Sequence, residues 1–125
     1  EFRATEQQQF DDIETALLAL AERIAKEEGL GFEAELRGKH APAPMANEII
    51  EVFETSANQL GQGSMRLASF AGHDAQSLAK FVPSGMIFVP SIGGASHSPR
   101  EFTDWQDCVN GANALLHGVL AYCKR

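Results

Sequence analysis

The run Met86-Ile87-Phe88-Val89, with Gly85 before it and Pro90 after it, constrains the fold more than any other stretch. Consecutive apolar residues between glycine and proline read as a strand covered on both faces, and such a strand belongs in a parallel sheet with helices on each side. The surrounding chain supplies the helices. Thr5 with Gln8 fits a capping box, after which Ile13, Leu17, Leu20 and Ile24 recur at helical spacing until Gly29 and Gly31. Ile49, Ile50, Phe53, Ala57 and Leu60 mark a second helix ending at Gly61, and 74–81 a short third. Thr103 with Gln106 opens a last helix with an expected inner face of Cys108, Ala112, Leu115, Leu116, Val119 and Leu120.

Three further strands are expected. Residues 1–3 read as the end of one, Phe32, Ala34 and Leu36 alternate with charged neighbours as a strand with one wet face, and 65–70 is a short one. Between the second and third, Ala41-Pro42-Ala43-Pro44 breaks the pattern, because each proline lacks a backbone donor and biases its predecessor away from helix. A domain boundary is placed there. The expected class is α/β: a small α+β layer over 1–41, then a mostly parallel sheet over 42–125.

Composition excludes several functions. With 17 Asp and Glu against 10 Lys and Arg, the formal charge is −7, and no basic stripe offers itself to nucleic acid. No apolar stretch is long enough to span a bilayer. Cys108 and Cys123, fifteen residues apart on one predicted helix, would lie roughly 22 Å apart and cannot bridge each other. A reducing, cytoplasmic setting is therefore expected.

Ligands in parallel sheets collect at the carboxyl ends of strands. The loops after Phe70 and Val89 are two such ends and carry His73 and His97, which are expected side by side at one rim. The residues alone leave their roles open: His97 fits a metal ligand or catalytic group, or else a solvated or structural side chain, and His73 fits a site residue or a helix-start residue beside Asp74. His40 and His117 read as ordinary surface histidines. Gly93-Gly94 is a weak anion cradle, and Ser96 and Ser98 beside His97 lack a third group for a triad.

The stretches AGHDA (71–75), PSGMIFVPS (83–91) and GGASHSP (93–99), continued by EFTDWQDCVNGANALL (101–116), resemble the zinc-dependent amidohydrolases of N-carbamoyl-L-amino acids, allantoate and N-carbamoyl-β-alanine. These belong to the clan of dinuclear metallopeptidases that includes the aminoacylases and carboxypeptidase G. The resemblance covers essentially the whole chain but only the final portion of a family member. It implies that 1–41 is the end of the lid (dimerisation) domain and 42–125 the C-terminal part of the catalytic domain.

By the same resemblance, His97 matches a metal ligand, and Gly72 and His73 match substrate contacts, His73 also serving catalysis by steadying a developing oxyanion. Arg3, in EFR, matches the lid arginine that pairs with the substrate carboxylate. The implied cofactor is a pair of divalent ions, zinc or else manganese, cobalt or nickel, and the implied partners are a ureido acid substrate, the N-terminal part of the enzyme and a second copy in a homodimer. The alternative reading is a stand-alone, non-catalytic dimerisation or binding module descended from such an enzyme. A strand begun at its last three residues would lose pairing partners and expose an edge, which favours the fragment. A catalytic zinc needs about three protein ligands, so the 125-residue chain alone is expected to be inactive. Titrating it with zinc should give only weak binding, and a tight stoichiometric endpoint would overturn that expectation.

Overall fold

The computed structural model describes residues 1–124, as α1 (Gln7–Glu27), α2 (Asn47–Gln59), α3 (Asp74–Leu78), a 3-10 turn (Ile92–Gly94) and α4 (Trp105–Tyr122). Both long N-terminal helices stop where their glycines require. Gly29 and Gly61 have positive φ, 68° and 71°. The next residue in each case reaches back across the last turn, Leu30 N–H to the Ala25 carbonyl at 2.8 Å and Gln62 N–H to the Ala57 carbonyl at 2.9 Å. This is the Schellman closure that a left-handed glycine permits.

The helix starts differ from expectation. Glu6 and Asp104, not Thr5 and Thr103, are the N-caps of α1 and α4, and neither makes a side-chain cap bond. The expected capping glutamines donate forward along their helices instead: Gln8 to Asp12 at 2.9 Å and Gln106 to Asn110 at 3.0 Å. A partner four residues on competes directly with reach-back to the cap. Helix α3 is shorter than the expected 74–81, since the chain turns at Lys80 and Phe81 ahead of Pro83.

The expected strands at 1–3, 32–36, 65–70 and 85–89 are not formed; among the described residues there is no strand. Alternation and apolar runs report how a segment is covered, whereas a strand is defined by ladder bonds to a neighbour. The run 86–89 is instead held by packing and by chain-end bonds. Ala46 N–H donates to the Ser84 carbonyl and Ile92 N–H to the Phe102 carbonyl, both at 2.8 Å.

The chain divides into two compact units: Glu1–Ala43 with Ala68–Gly72, and Pro44–Leu67 with the described part of His73–Arg125. The first is built on α1, from which only Ala25 is buried; Ile13, Leu17, Leu20 and Ile24 remain exposed. Lys39 ties its irregular segment back to α1, with Nζ 2.6 Å from Glu14, 3.1 Å from Asp11 and over the Phe10 ring.

The second unit is organised by α2 against α4. Val52, Ser56 and Ala57 of α2 are buried against the small face of α4, where Ala114 and Gly118 are buried. The face expected to point inward points out: Leu115, Leu116, Val119 and Leu120 are about half exposed. Close approach explains the choice. A Cβ on Gly118 would collide with the Phe53 ring, one on Gly111 with Val89, and one on Gly85 with Ile49. Three glycines thus leave room for the Phe53, Val89 and Ile49 side chains, through which α2, α4 and the 85–89 run meet.

The accessible surface is 9755 Å². A folded monomer of this mass exposes about 6,500 Å², and two separate bodies sharing that mass about 7,800 Å². Large apolar side chains contribute to that surface, among them Leu67, Phe81, Phe102 and Trp105, each more than half exposed.

Gly118→Ala decides whether the helix contact is as close as described. Alanine gains about 1 kcal/mol of helix propensity, but overpacking against a ring costs about 1–3 kcal/mol. Thermal unfolding should therefore show a loss of stability, while Gly31→Ala, with open space around it, should be neutral or slightly stabilising.

Candidate active site

Arg3 and Gly72 belong to the first unit, His73 and His97 to the second, the division falling between neighbours 72 and 73. Within the first unit, Arg3 is held at three atoms. Its Nη1 donates to the Phe70 carbonyl at 2.5 Å, its Nε to Glu1 Oε1 at 2.8 Å, and its Nη2 lies 2.7 Å from the same oxygen. The structure thus brings Arg3 against the segment that leads into Gly72. Arg3 also lines a cleft of about 470 Å³ with Thr5, Gln9, Asp12, Ile13 and Phe70. A guanidinium on the wall of an open, partly apolar cleft is suited to a small carboxylate.

His73 is the N-cap of α3, with φ −138° and ψ 152°, and its carbonyl accepts the Gln76 N–H at 3.0 Å. Its ring is half-buried edge-on to Phe88, with centroids 5.6 Å apart and planes at 64°. The helix-start reading and the site reading of His73 are therefore compatible. The contact also ties His73 to the 86–89 run, from whose end the loop carrying His97 departs.

That loop closes on itself. Ser91 Oγ donates to the Ala95 carbonyl at 2.5 Å, and Gly94 N–H to the Ser91 carbonyl at 2.9 Å. Gly93 and Gly94 both have positive φ, so the glycine pair serves the turn. Ser98-Pro99-Arg100-Glu101 then forms a β-turn with proline at its second position, Glu101 N–H donating to the Ser98 carbonyl at 3.0 Å. The exposed His97 is the one described non-glycine residue with positive φ, 52°, and its N–H donates to Glu101 Oε2 at 2.7 Å. Such a conformation costs an L-residue on the order of 1–3 kcal/mol and is concentrated at functional sites. Sequence reading does not single out Glu101; the proline turn that folds its side chain back four residues is the signal that could have found it.

His97 fits a borderline divalent metal as one imidazole donor. Among the described residues, no group of three or more His, Cys, Asp or Glu could hold a metal ion, whereas a catalytic zinc takes about three protein ligands. His40 and His117 are exposed, and Cys108 and Cys123 are free thiols. No helix of the described chain is long and apolar enough to cross a membrane.

The second unit also has a groove of about 710 Å³ lined in part by Met45, Phe53, Met65, Met86 and Val89, but by neither histidine. On its wall Arg66 makes a two-pronged pair with Glu54, Nε to Oε1 at 2.8 Å and Nη2 to Oε2 at 2.7 Å. The Arg66 guanidinium holds the Glu54 carboxyl below the usual carboxylate range. In the first unit, the Gln7 amide and then Lys39 do the same for Asp11. Both pairs brace loops onto helices.

Residues 6–121 match peptidase family M20/M25/M40. The chain belongs to this family. It is similar to an N-carbamoyl-L-amino acid amidohydrolase of Geobacillus stearothermophilus, 38% identical over 87% of this chain and 27% of that protein. It is also similar to an allantoate amidohydrolase of Escherichia coli strain K12, 36% identical over 74% of this chain and 22% of that protein. Among solved structures, a hydantoinase/carbamoylase family amidase from Burkholderia ambifaria has a TM-score of 0.77 at 30% identity, over 94% of this chain and 27% of that one. The chain thus spans about a quarter of the length of the relatives it matches, all hydrolases by name, and it follows the matched part of that peptidase-like α/β fold, its described residues forming helices and no strand ladder. The amidohydrolase names belong to those relatives; of this chain the match shows membership of the M20 family.

The left-handed His97 gives a test independent of chemistry. Asparagine tolerates that conformation and a β-branched residue does not. In denaturant unfolding of metal-free protein, His97→Val should be less stable than His97→Asn by about 1 kcal/mol; equal stabilities would mean that the conformation is not held.

Proposed function

We propose that this sequence is the C-terminal portion of a metal-dependent amidohydrolase that cleaves the carbamoyl C–N bond of N-carbamoyl-L-amino acids or related ureido acids. The observation that carries the reading is the 38% identity to an N-carbamoyl-L-amino acid amidohydrolase over 87% of this chain. The exposed large apolar side chains, Phe81 and Trp105 among them, support it, because such side chains are the kind that further protein covers. In this reading residues 1–41 close a lid domain that also forms a homodimer contact, and 42–125 complete the catalytic domain.

His97 would be one ligand of a divalent pair, zinc, manganese, cobalt or nickel, which when bound supplies Lewis-acid polarisation of the carbonyl and an activated water. The other roles belong to this chain's side chains. Arg3 binds the substrate carboxylate. Its present partners are replaceable: the Glu1 side chain is 73% exposed and Arg3 49%, and exposed ion pairs are worth little. A substrate carboxylate can instead engage the guanidinium with both of its oxygens in a less hydrated setting. His73, oriented by Phe88, donates a hydrogen bond to the oxygen on which negative charge develops as the carbonyl becomes tetrahedral. Gly72, without a side chain, lets the backbone approach the substrate closely.

The test is an assay of the polypeptide as its source makes it on N-carbamoyl-L-amino acids and allantoate with added zinc or manganese. His97→Ala should abolish turnover, His73→Ala should lower kcat by about 10²–10³, and Arg3→Ala should act mainly on KM. Unchanged turnover in His97→Ala would refute the assignment.

A further inference from the structure

We infer that Glu101 is a positioning residue for His97, its carboxylate accepting the His97 N–H and holding the backbone conformation that presents the imidazole. The inference rests on the reading of His97 as a metal ligand and adds a residue that neither the sequence motifs nor the relatives' names assign.

Three observations carry it. First, the His97–Glu101 bond, at 2.7 Å, has the length of a hydrogen bond to an ionised acceptor. Second, it falls on the one non-glycine residue with positive φ among those described. The left-handed Gly29, Gly61 and Gly94 give their N–H to a backbone carbonyl, whereas His97 gives its N–H to the Glu101 side chain. Third, the loop aims the acceptor. The Ser98–Glu101 turn is closed by the Glu101 N–H to the Ser98 carbonyl and reinforced by the Arg100 N–H to Ser98 Oγ at 3.3 Å. Pro99 fixes φ at its second position. The turn therefore delivers the Glu101 carboxylate back to residue 97 as a consequence of its own geometry.

The direction of the His97 Cβ follows from φ and ψ, so releasing the N–H lets the residue relax toward ordinary backbone and swings the imidazole away. Ligand orientation by a hydrogen-bonded neighbour typically governs about 10–100-fold in metal affinity. The required chemistry is a hydrogen-bond acceptor at that point, and an amide oxygen can serve as well as a carboxylate.

The test compares parent, Glu101→Ala, Glu101→Gln and His97→Ala in the polypeptide as its source makes it. Zinc affinity is read by competition with a chelator, and geometry by the visible ligand-field bands of the cobalt(II) form. Glu101→Ala should bind zinc about 10–100-fold more weakly with altered cobalt bands, and Glu101→Gln should recover affinity to within a few-fold of the parent. Parent-like zinc binding in Glu101→Ala, with His97→Ala impaired, overturns this inference and leaves the ligand reading standing. Parent-like binding in His97→Ala overturns both. If Glu101→Ala does not fold, Glu101→Gln decides: affinity near the parent's upholds the acceptor role, and a loss like that of His97→Ala overturns it.

Discussion

The contact on which the second unit depends is between Phe53 of α2 and the space that Gly118 leaves on α4. Helices pack at a distance set by the side chains between them, and residues without a side chain allow the closest approach. Phe53 occupies that space, and Val52, Ser56 and Ala57 of α2 and Ala114 of α4 are buried as the two helices pack. The same device recurs at Gly111 against Val89 and Gly85 against Ile49. The 85–89 run is therefore set by the two helices, and whatever that run carries is placed by them too: the Phe88 ring that meets His73, and the loop that bears His97. His97 follows from packing in which it takes no part, and His73 joins that packing through the Phe88 ring.

The long helices were legible because their signals are local. Apolar spacing and the glycines at 29 and 61 lie within one turn of the backbone groups they act on, and the glycines end the helices as read. The strands were not, because a strand is a relation between segments. Phe32, Ala34 and Leu36 alternate as a half-covered strand would, yet no described neighbour offers a ladder. The α4 face failed for a different reason. Hydrophobicity ranks Leu115, Leu116, Val119 and Leu120 above Gly111 and Gly118, but burial against α2 selects for room. A helix apolar on most sides has more than one face to cover, and its sequence does not say which neighbour takes which.

At the candidate site the motifs named the residues but not their settings. GGASHSP marks His97, and nothing in that spelling says that residue 97 is left-handed. Among non-glycine residues, asparagine, aspartate and histidine are the ones enriched there, so a histidine in a tight turn between glycines and proline was a weak sign. The Arg3 contact with the Phe70 carbonyl joins residues 67 apart in sequence, and no local pattern encodes such a pairing. The family resemblance supplied Arg3 as a candidate, and the structure adds that its guanidinium already sits beside the chain leading into AGHDA.

The strain at His97 also bears on why the loop is so heavily cross-tied. A left-handed residue persists only where its surroundings over-determine it. Here the bond from Ser91 to Ala95, the bond from Ile92 to Phe102 and the proline turn at 98–101 leave residue 97 as the joint between two closed pieces. Neither piece contains a buried side chain of any size, so the loop is held by hydrogen bonds and turn stereochemistry rather than by a core. Bonds of that kind fix direction well and contribute little net stability. An imidazole that has to meet a partner at one angle needs the first property more than the second.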